Sequence, residues 1–271
     1  MENIRYALYE IAGNPDVPAM TVRQIFYQAT TLGVVAKTEA EYKGTVVRLL
    51  TEMRRSGELP FGWIADNTRW MRKPTSHSSL DQALQRTAEA YRRSLWDDQD
   101  VYVEIWLEKE ALAGVVFDIT SEWDVPLMVT RGYPSLTYLY EAAEQIEGKS
   151  KSAYIYYLGD HDPSGVDISR NVEERLREFA PDADITFERL AVEPWQISAW
   201  GLPSRPTKTT DTRAKHFDGE SVEVDAISPA DLRAIVRTAI EQHVDNARLE
   251  WLQQVEASER EILQEIARSR S

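Results

Sequence analysis

The first 75 residues show the hydrophobic pattern of short helices. Apolar positions recur at helical spacing over residues 4–11, 22–29 and 42–53, and each segment is followed by a glycine. Thr21 and Thr38 precede the second and third segments and are suited to cap them. Residues 59–70 then predict a β-hairpin. Three helices followed by a hairpin, or wing, predict a winged helix-turn-helix domain.

The pattern changes to alternating strands and helices after residue 100. Strand-like segments lie at residues 101–107, 126–130, 153–158 and 184–190, and helical segments follow the first three. Alternating strands and helices favour right-handed crossovers and a mainly parallel sheet. The predicted fold class is therefore α/β.

Breaks in these patterns divide the chain into four predicted parts. Residues 73–79 are polar and contain Pro74, which favours a junction there. The parts are an N-terminal domain over 1–75, a linker helix over 76–100, an α/β domain over 101–245 and a C-terminal helix over 246–271. Within the third part, residues 201–219 predict a long loop and residues 221–227 a short strand or extended segment.

Charge is divided unevenly between the front and the rest of the chain. The whole sequence has 31 Lys and Arg against 45 Asp and Glu, a net charge of −14. Residues 1–75 hold 10 of the cations and 8 of the acids, so the acid excess lies behind residue 75. This argues against a protein that coats nucleic acid with a uniformly basic surface. A mildly basic front joined to an acidic body indicates two roles.

The composition also restricts the compartment and the metal chemistry. The chain has no Cys, which excludes disulfides and Cys-ligated zinc. Neither a signal peptide nor an apolar run of about 20 residues is present in the sequence. We therefore expect a cytoplasmic protein that has no membrane segment.

Cations of the N-terminal part are candidates for DNA contacts. They lie on the third predicted helix and in the predicted wing, the usual contact elements of such a domain. The candidate residues are Lys43, Arg48, Arg54, Arg55 and Arg69, followed by Arg72 and Lys73. Ordinary surface charge explains the same residues, and the pattern alone leaves both interpretations open.

Carboxylates follow two of the predicted strands. Glu108 comes directly after the first strand, and Asp160 and Asp162 follow the third. Functional groups of parallel sheets gather at such strand ends. Three carboxylates without Cys favour Mg²⁺, or alternatively Mn²⁺, over zinc. Asp-x-Asp before Pro and Gly is equally good chemistry for a turn and a helix cap, so that interpretation stays open.

Four segments in order resemble a known family. Residues 107–112 resemble the glutamate motif of a Toprim domain, and residues 160–165 resemble its Asp-x-Asp motif in the form found in topoisomerase VI A subunits. Residues 131–135 resemble the Gly-Tyr-Pro segment of those subunits, and residues 223–227 resemble their late Glu-Leu-Glu-Ala-Leu stretch. The resemblance implies a Toprim domain that holds Mg²⁺ with Glu108, Asp160 and Asp162.

The N-terminal part resembles the same family. Residues 21–27 resemble the Arg-x-x-Tyr-Tyr helix of topoisomerase VI A subunits and meiotic double-strand-break transesterases. Tyr27 corresponds to the DNA-cleaving tyrosine, and Phe26 replaces the first tyrosine of the pair. Arg23 lies one turn before Tyr27, where it suits the scissile phosphate or the phenolate. Without the resemblance, a helical Tyr is more often a packing residue.

The resemblance implies Mg²⁺-dependent cleavage of double-stranded DNA. Tyr27, Arg23 and Glu108 would be catalytic and would give a 5′-phosphotyrosyl link. The family also implies a homodimer in which tyrosine and metal come from opposite protomers, and a separate ATPase B-type subunit is a further partner to consider. The chain is short for such an A subunit. Two alternatives therefore remain: a hydrolytic Toprim endonuclease of defence or mobile elements that does not use the tyrosine, and a non-catalytic DNA-binding protein.

Overall fold

A computed structural model describes residues 2–15, 17, 19–65, 74–206, 217 and 219–269. Its N-terminal part contains the three predicted helices. The elements are α1 (Glu2–Ala12), β1 (Met20–Thr21), α2 (Val22–Thr31), and a continuous helix made of α3 (Glu39–Glu41), a π-helical stretch (Tyr42–Val47) and α4 (Arg48–Arg55). Thr21 accepts a hydrogen bond from Gln24 N at 3.2 Å, and Thr38 accepts one from Glu41 N at 3.2 Å. Both predicted caps are confirmed.

The predicted hairpin over residues 59–70 is wrong in its described half. Phe61–Trp63 forms a single 3₁₀ turn instead of a strand. β2 (Ile64–Ala65) then pairs in parallel with β1, so its partner lies before α2 and not across a tight turn. Pro60 starts the turn because its carbonyl accepts from Trp63 N at 3.2 Å, and the Trp63 ring packs on Tyr9. Residues 66–73, with Arg69, Arg72 and Lys73, lie outside the described residues.

The predicted linker helix packs against the C-terminal helix. α5 (Leu80–Ala90) is shorter than the linker helix predicted over 76–100, because the backbone is extended at Tyr91. The Tyr91 hydroxyl donates to Glu259 at 2.6 Å, and its carbonyl accepts from Arg260 at 2.8 Å. These contacts fix the end of α5 on the last helix of the chain, which is given its bounds below.

The rest of the chain is an α/β unit with a four-stranded parallel sheet, as predicted. The strands are β3 (Val101–Leu107), β4 (Leu127–Val129), β5 (Ser152–Leu158) and β6 (Ile185–Ala191), in the order β4-β3-β5-β6. The helices are α6 (Ala113–Glu122), α7 (Leu136–Lys149), α8 (Pro163–Phe179), α9 (Pro194–Trp200), α10 (Pro229–Glu241) and α11 (Asn246–Arg268). Residues 221–227, predicted as strand or extended, make two isolated bridges and then a 3₁₀ turn, Val224–Ala226.

Helices cover both faces of the sheet. α7 and α8 pack with Tyr102 and Trp106 in one apolar cluster. α6 and α10 belong to a second cluster, which continues into the core of α1, α2 and α4. The N-terminal part therefore shares a hydrophobic core with one face of the α/β unit. No helix in the described ranges has the length and apolar character needed to span a membrane.

Two glycines allow close packing at the carboxyl ends of the strands. A Cβ on Gly165 would lie 2.2 Å from the carbonyl oxygen of Asp160, and one on Gly159 would lie 2.6 Å from the Glu108 carboxylate. Contacts this short are essentially never observed, so a methyl group on Gly165 would force backbone atoms to move, and one on Gly159 would displace the Glu108 and Tyr157 side chains. The loop after β5 can therefore lie directly on the start of α8.

This crowding predicts opposite effects of two Gly-to-Ala substitutions. Gly165→Ala should lower the free energy of unfolding by about 1–3 kcal/mol, because backbone atoms must move to admit the methyl group. Gly148→Ala lies in α7, where nothing comes within 4 Å of the place that its methyl group would take, and should raise it by up to about 1 kcal/mol through helix propensity. Urea unfolding followed by circular dichroism measures both. Equal effects of the two substitutions would contradict the packing.

Candidate functional site

Glu108 and Asp160 meet at the carboxyl edge of the sheet. They follow β3 and β5, which are neighbours in the sheet. β4 lies beside β3 at one edge of the sheet, and β6 lies beside β5 at the other, so the strand order changes direction between β3 and β5. Such a switch point leaves a crevice outside the strand ends. Glu108 N donates to Leu158 O at 2.9 Å, and Asp160 N donates to the Glu108 carboxylate at 3.1 Å. The structure therefore brings these two predicted residues together.

Lys109 is the internal cation of this edge. Its ammonium lies 2.9 Å from Asp160, 3.1 Å from Glu223 and 3.0 Å from Asp225. Asp160 also accepts from Val224 N at 2.9 Å, and all three carboxylates are buried. Burial alone would lower the pKa of Lys109, but Asp225, Asp160 and Glu223 outweigh it and raise that pKa. Lys109 therefore stays charged and holds the three acids together.

Asp162 has the capping role that the alternative interpretation predicts. Its carboxylate accepts from Gly165 N at 2.8 Å, and Pro163 occupies the first position of α8. The negative charge of Asp162 still acts on Glu108, where it helps to raise the pKa. Asp162 therefore caps a helix and also borders the cluster that contains Glu108 and Asp160.

Burial and repulsion between carboxylates raise the pKa values at this edge. Burial, and then repulsion from Asp160, raise the pKa of Glu108 to about 7. Burial likewise raises the pKa of Asp160, against the opposing attraction of Lys109. Next to them lies the buried Tyr157 hydroxyl, which interacts with the Thr130 side chain. A cation brought close to Glu108 and Asp160 would lower both raised pKa values.

The residue types at this edge suit a hard cation, but their placement is not that of a metal site. Carboxylate oxygens are the ligands that Mg²⁺ and Mn²⁺ take, and such an oxygen can accept more than one contact. Lys109 already occupies one side of Asp160, and among the described residues no group of three or more His, Cys, Asp or Glu side chains is placed to hold a metal ion. The assignment of Mg²⁺ to Glu108, Asp160 and Asp162 stays a prediction.

Glu223 joins this edge to the N-terminal part. Its two oxygens accept from Arg23 of α2 at 3.1 and 2.9 Å, and Arg205 lies 3.3 Å away. Burial would raise the pKa of Glu223, but Lys109 and Arg23 outweigh it and hold that pKa at about 2. Glu223 is therefore ionised throughout the physiological range and is shared by cations from three segments.

Tyr27 is buried beside this carboxylate. Its side chain is 1% exposed, with the Arg23 guanidinium 5.7 Å and the Lys37 ammonium 5.1 Å from the ring centre. Burial, and then the charge of Glu223, raise the pKa of Tyr27 above its usual value, although Arg23 and Lys109 oppose this. In this conformation the hydroxyl is protonated and shielded from a large substrate.

The predicted DNA-contact cations lie on the solvent side of the continuous helix. Lys43 pairs with Glu39 at 3.0 Å, Arg48 pairs with Glu52 at 2.8 Å, and Arg54 stacks on Phe61. Arg55 is exposed. None of these contacts is with Glu223, although Glu39, the partner of Lys43, also lies 4.0 Å from Arg23, and the role of this group in DNA contact stays a prediction. Arg69, the remaining member, lies outside the described residues.

Four members of the site are not predicted from the sequence. Lys109 is simply the neighbour of Glu108 there, Glu223 and Asp225 lie in a segment that resembles the family, and Arg205 lies in a predicted loop. A Lys immediately after a strand-end Glu is a usable signal, because it must share that Glu's buried environment. The pairings themselves span 114 residues for Lys109 and 200 for Arg23, so no local pattern reports them.

Comparison of the chain with models of known protein families gave no match, and comparison with curated proteins gave no relative. The interpretation of the site therefore depends on its own geometry and on the resemblance of its motifs.

Removal of Lys109 should show how much it stabilises the buried carboxylates around it. Lys109→Met leaves Asp160, Glu223 and Asp225 without their shared cation, and we expect a loss of about 3–5 kcal/mol in the free energy of unfolding at pH 8. The loss should shrink towards pH 5 as the stranded carboxylates take up protons. Lys43→Met, which removes an exposed ion pair, should cost less than about 1 kcal/mol at either pH. A pH-independent loss in Lys109→Met would contradict this account.

Lys37 should titrate well below an ordinary lysine. Burial, together with the positive charges of Arg205 and Arg23, lowers the pKa of Lys37 to about 8, although Glu223 opposes this. We expect its reaction with an amine-selective reagent to reach half its plateau near pH 8, against about 10.4 for an unperturbed Lys. Peptide mass spectrometry over a pH series gives both curves, with Lys43 as the exposed reference. A shared midpoint would show that the cluster does not act on Lys37.

Proposed function

We propose that this protein cleaves DNA phosphodiester bonds in a Mg²⁺-dependent reaction at the carboxyl edge of its parallel sheet. In this proposal residues 101–245 are a Toprim domain, and the N-terminal part is a winged-helix domain that carries the tyrosine. One observation carries the proposal. Two distant segments that resemble the two halves of the family's site converge on a single buried carboxylate, Glu223.

The convergence is a continuous series of contacts. Arg23 and Tyr27 lie on α2 and face Glu223, which contacts Lys109. Lys109 contacts Asp160, whose amide binds Glu108. A tyrosine in an ordinary packing role has no need of a neighbouring Arg–carboxylate pair that connects it to an acidic sheet edge. The arrangement therefore favours chemistry over packing.

The residues divide the work of phosphodiester cleavage. Glu108, Asp160 and Asp162 would hold the cation, which neutralises phosphate oxygens and stabilises the leaving 3′ oxygen when bound. Arg23 is positioned to bind a phosphate oxygen with its fork of donors. The Tyr27 hydroxyl would attack phosphorus, pass its proton to a neighbouring base and retain the 5′ phosphate as a phosphotyrosyl link.

Hydrolysis without the tyrosine is the second candidate, and the burial of Tyr27 favours it. A hydroxyl that is 1% exposed and has a raised pKa is a poor nucleophile until α2 moves. Hydrolysis at the sheet edge that holds Glu108 and Asp160 does not require α2 to move. Here water would attack phosphorus, and neither product would remain attached to the protein.

The partners in this proposal are double-stranded DNA and a second copy of the chain. Arg54 and Arg55 on α4, with Lys43 and Arg48 before them, would contact the duplex backbone. Because one chain already places Tyr27 near its own Glu223, an exchange of tyrosines between protomers is not required by the geometry. A separate ATPase subunit would be needed only for strand passage, since the chain has no Gly-rich phosphate loop.

Two substitutions separate the mechanisms. With supercoiled plasmid and Mg²⁺ or Mn²⁺, we expect wild type to nick or linearise DNA, and Asp160→Asn to lose this by at least about 100-fold. Under the tyrosine mechanism, Tyr27→Phe loses cleavage too, and a protein–DNA adduct on a denaturing gel disappears with it. Under hydrolysis, Tyr27→Phe still cuts and no adduct forms.

Matched controls keep these outcomes specific. Tyr42→Phe removes another hydroxyl from a ring that Arg23 stacks on at 4.9 Å, and should leave cleavage unchanged. Asp225→Asn removes another carboxylate from Lys109 without touching the proposed cation ligands, and should reduce cleavage less than Asp160→Asn. Binding of DNA without cleavage at every metal concentration would favour the non-catalytic alternative. A wild-type protein that shows no binding and no cleavage would refute the proposal.

A further inference from the structure

Three cationic side chains from three separate segments contact one carboxylate at the junction of the two parts of the chain. Arg23 comes from α2, Lys109 from the end of β3 and Arg205 from the loop after α9, and they meet at Glu223. We propose that these cations form a binding site for one phosphate group of a nucleic-acid strand, in which Glu223 is the resident counter-ion that the phosphate replaces. This inference depends on the proposed function, which it deepens by naming where the substrate phosphate binds.

The geometry around Glu223 is the geometry of an oxyanion site. Arg23 donates to both carboxylate oxygens through its Nη2 atom, at 3.1 and 2.9 Å, and Arg205 approaches one of them at 3.3 Å. Carboxylate and phosphate oxygens both accept charge-assisted hydrogen bonds from guanidinium groups. A phosphate offers the same pair of oxygens and additional charge.

The balance of charge leaves room for a stronger anion. Lys109 is already compensated by Asp160 and Asp225, so it does not depend on Glu223 alone. Arg23 has one further acid near it, Glu39, at 4.0 Å. Arg205 and Lys37 add two more cations to the same place, and the lowered pKa of Lys37, which burial causes first, also reflects repulsion from both arginines. An anion in the place of Glu223 would therefore meet the same group of cations that Glu223 now contacts.

The cations reach solvent while the carboxylate does not. The side chains of Arg23 and Arg205 are 30% and 42% exposed, whereas that of Glu223 is 7% exposed. A phosphate approaching from solvent would meet the guanidinium groups first and would replace the Glu223 carboxylate. Because Glu223 lies close to Tyr27, a phosphate in its place would also lie close to Tyr27.

Chemical rescue by inorganic phosphate tests the site without cleavage. Glu223→Ala removes the counter-ion and should lower the melting temperature in EDTA, because Arg23 and Arg205 are left uncompensated. Added phosphate should restore it by about 3 °C at roughly ten times the dissociation constant, while chloride at equal ionic strength should not. Asp225→Ala, which strands a different contact of Lys109, should not respond to phosphate. Equal responses of the two variants would overturn the site.

A second variant covers the case in which Glu223→Ala does not fold. Glu223→Gln keeps the volume and removes the charge, and should bind a short DNA duplex in EDTA about tenfold more tightly than wild type, as measured by fluorescence anisotropy. Asp225→Asn makes the same change in net charge and should gain clearly less. Adding Arg205→Gln to Glu223→Gln should abolish the gain. A gain that survives Arg205→Gln, or is matched by Asp225→Asn, would show general electrostatics and overturn the proposal.

The two arms separate the source of the phosphate from the proposed function. Rescue by inorganic phosphate without a gain in DNA affinity would assign the site to a free phosphate and overturn its assignment to nucleic acid. Phosphate rescue and tighter DNA binding in a protein that never cleaves plasmid would uphold the site and overturn the proposed cleavage alone. Cleavage of plasmid without phosphate rescue would uphold the proposed cleavage and overturn the phosphate site.

Discussion

The arrangement at the sheet edge depends on the contacts of the Lys109 ammonium with three carboxylates. Three buried carboxylates, Asp160, Glu223 and Asp225, lie within 3.1 Å of it. Unpaired buried charges are costly, and a pair broken on one side leaves that cost uncompensated. Because Asp160 follows β5 and the other two belong to the segment before α10, Lys109 fixes that segment on the strand ends. Once Glu223 is held there, Arg23 can bind it and bring α2 to the same place.

The parallel sheet determines where this cluster forms. β3 and β5 are neighbours, so the residues that follow them must meet, and Gly159 and Gly165 permit the approach that a side chain would prevent. Arg189 of β6 reinforces the turn by donating to the carbonyls of Gly159 and Gly165 at 2.9 and 3.2 Å. The site is therefore supported by three adjacent strands, and the backbone itself places Glu108 and Asp160, whereas Glu223 and Asp225 depend on Lys109.

Local signals in the sequence predicted the elements well, and long-range pairings account for the errors. Thr21 caps α2 as expected because a cap is decided by a contact three residues away, and residues 101–107 form β3 because β-branched and aromatic residues flank the single acid Glu104. The described half of the predicted hairpin, residues 59–65, is wrong because Ile64 pairs with Met20, a partner that no turn signal identifies. Glu108 and Asp160 could be placed from strand ends alone, whereas the roles of Lys109, Arg205 and Glu223 follow only from how distant segments pack.

Whether the Glu223 carboxylate or a phosphate lies among the cations affects which mechanism the fold can support. Burial and the Glu223 charge raise the pKa of Tyr27, while Arg23 and Lys109 act in the opposite direction. If Glu223 turns away, its charge no longer raises the pKa of Tyr27, while Arg23 and Lys109 still lower that pKa. A transesterase needs this change as well as exposure of Tyr27, because its nucleophile must reach phosphorus. A hydrolase needs neither, since its water approaches from solvent. The two mechanisms therefore differ in what they require of α2, and the contact between Arg23 and Glu223 links the position of Tyr27 to the proposed phosphate site.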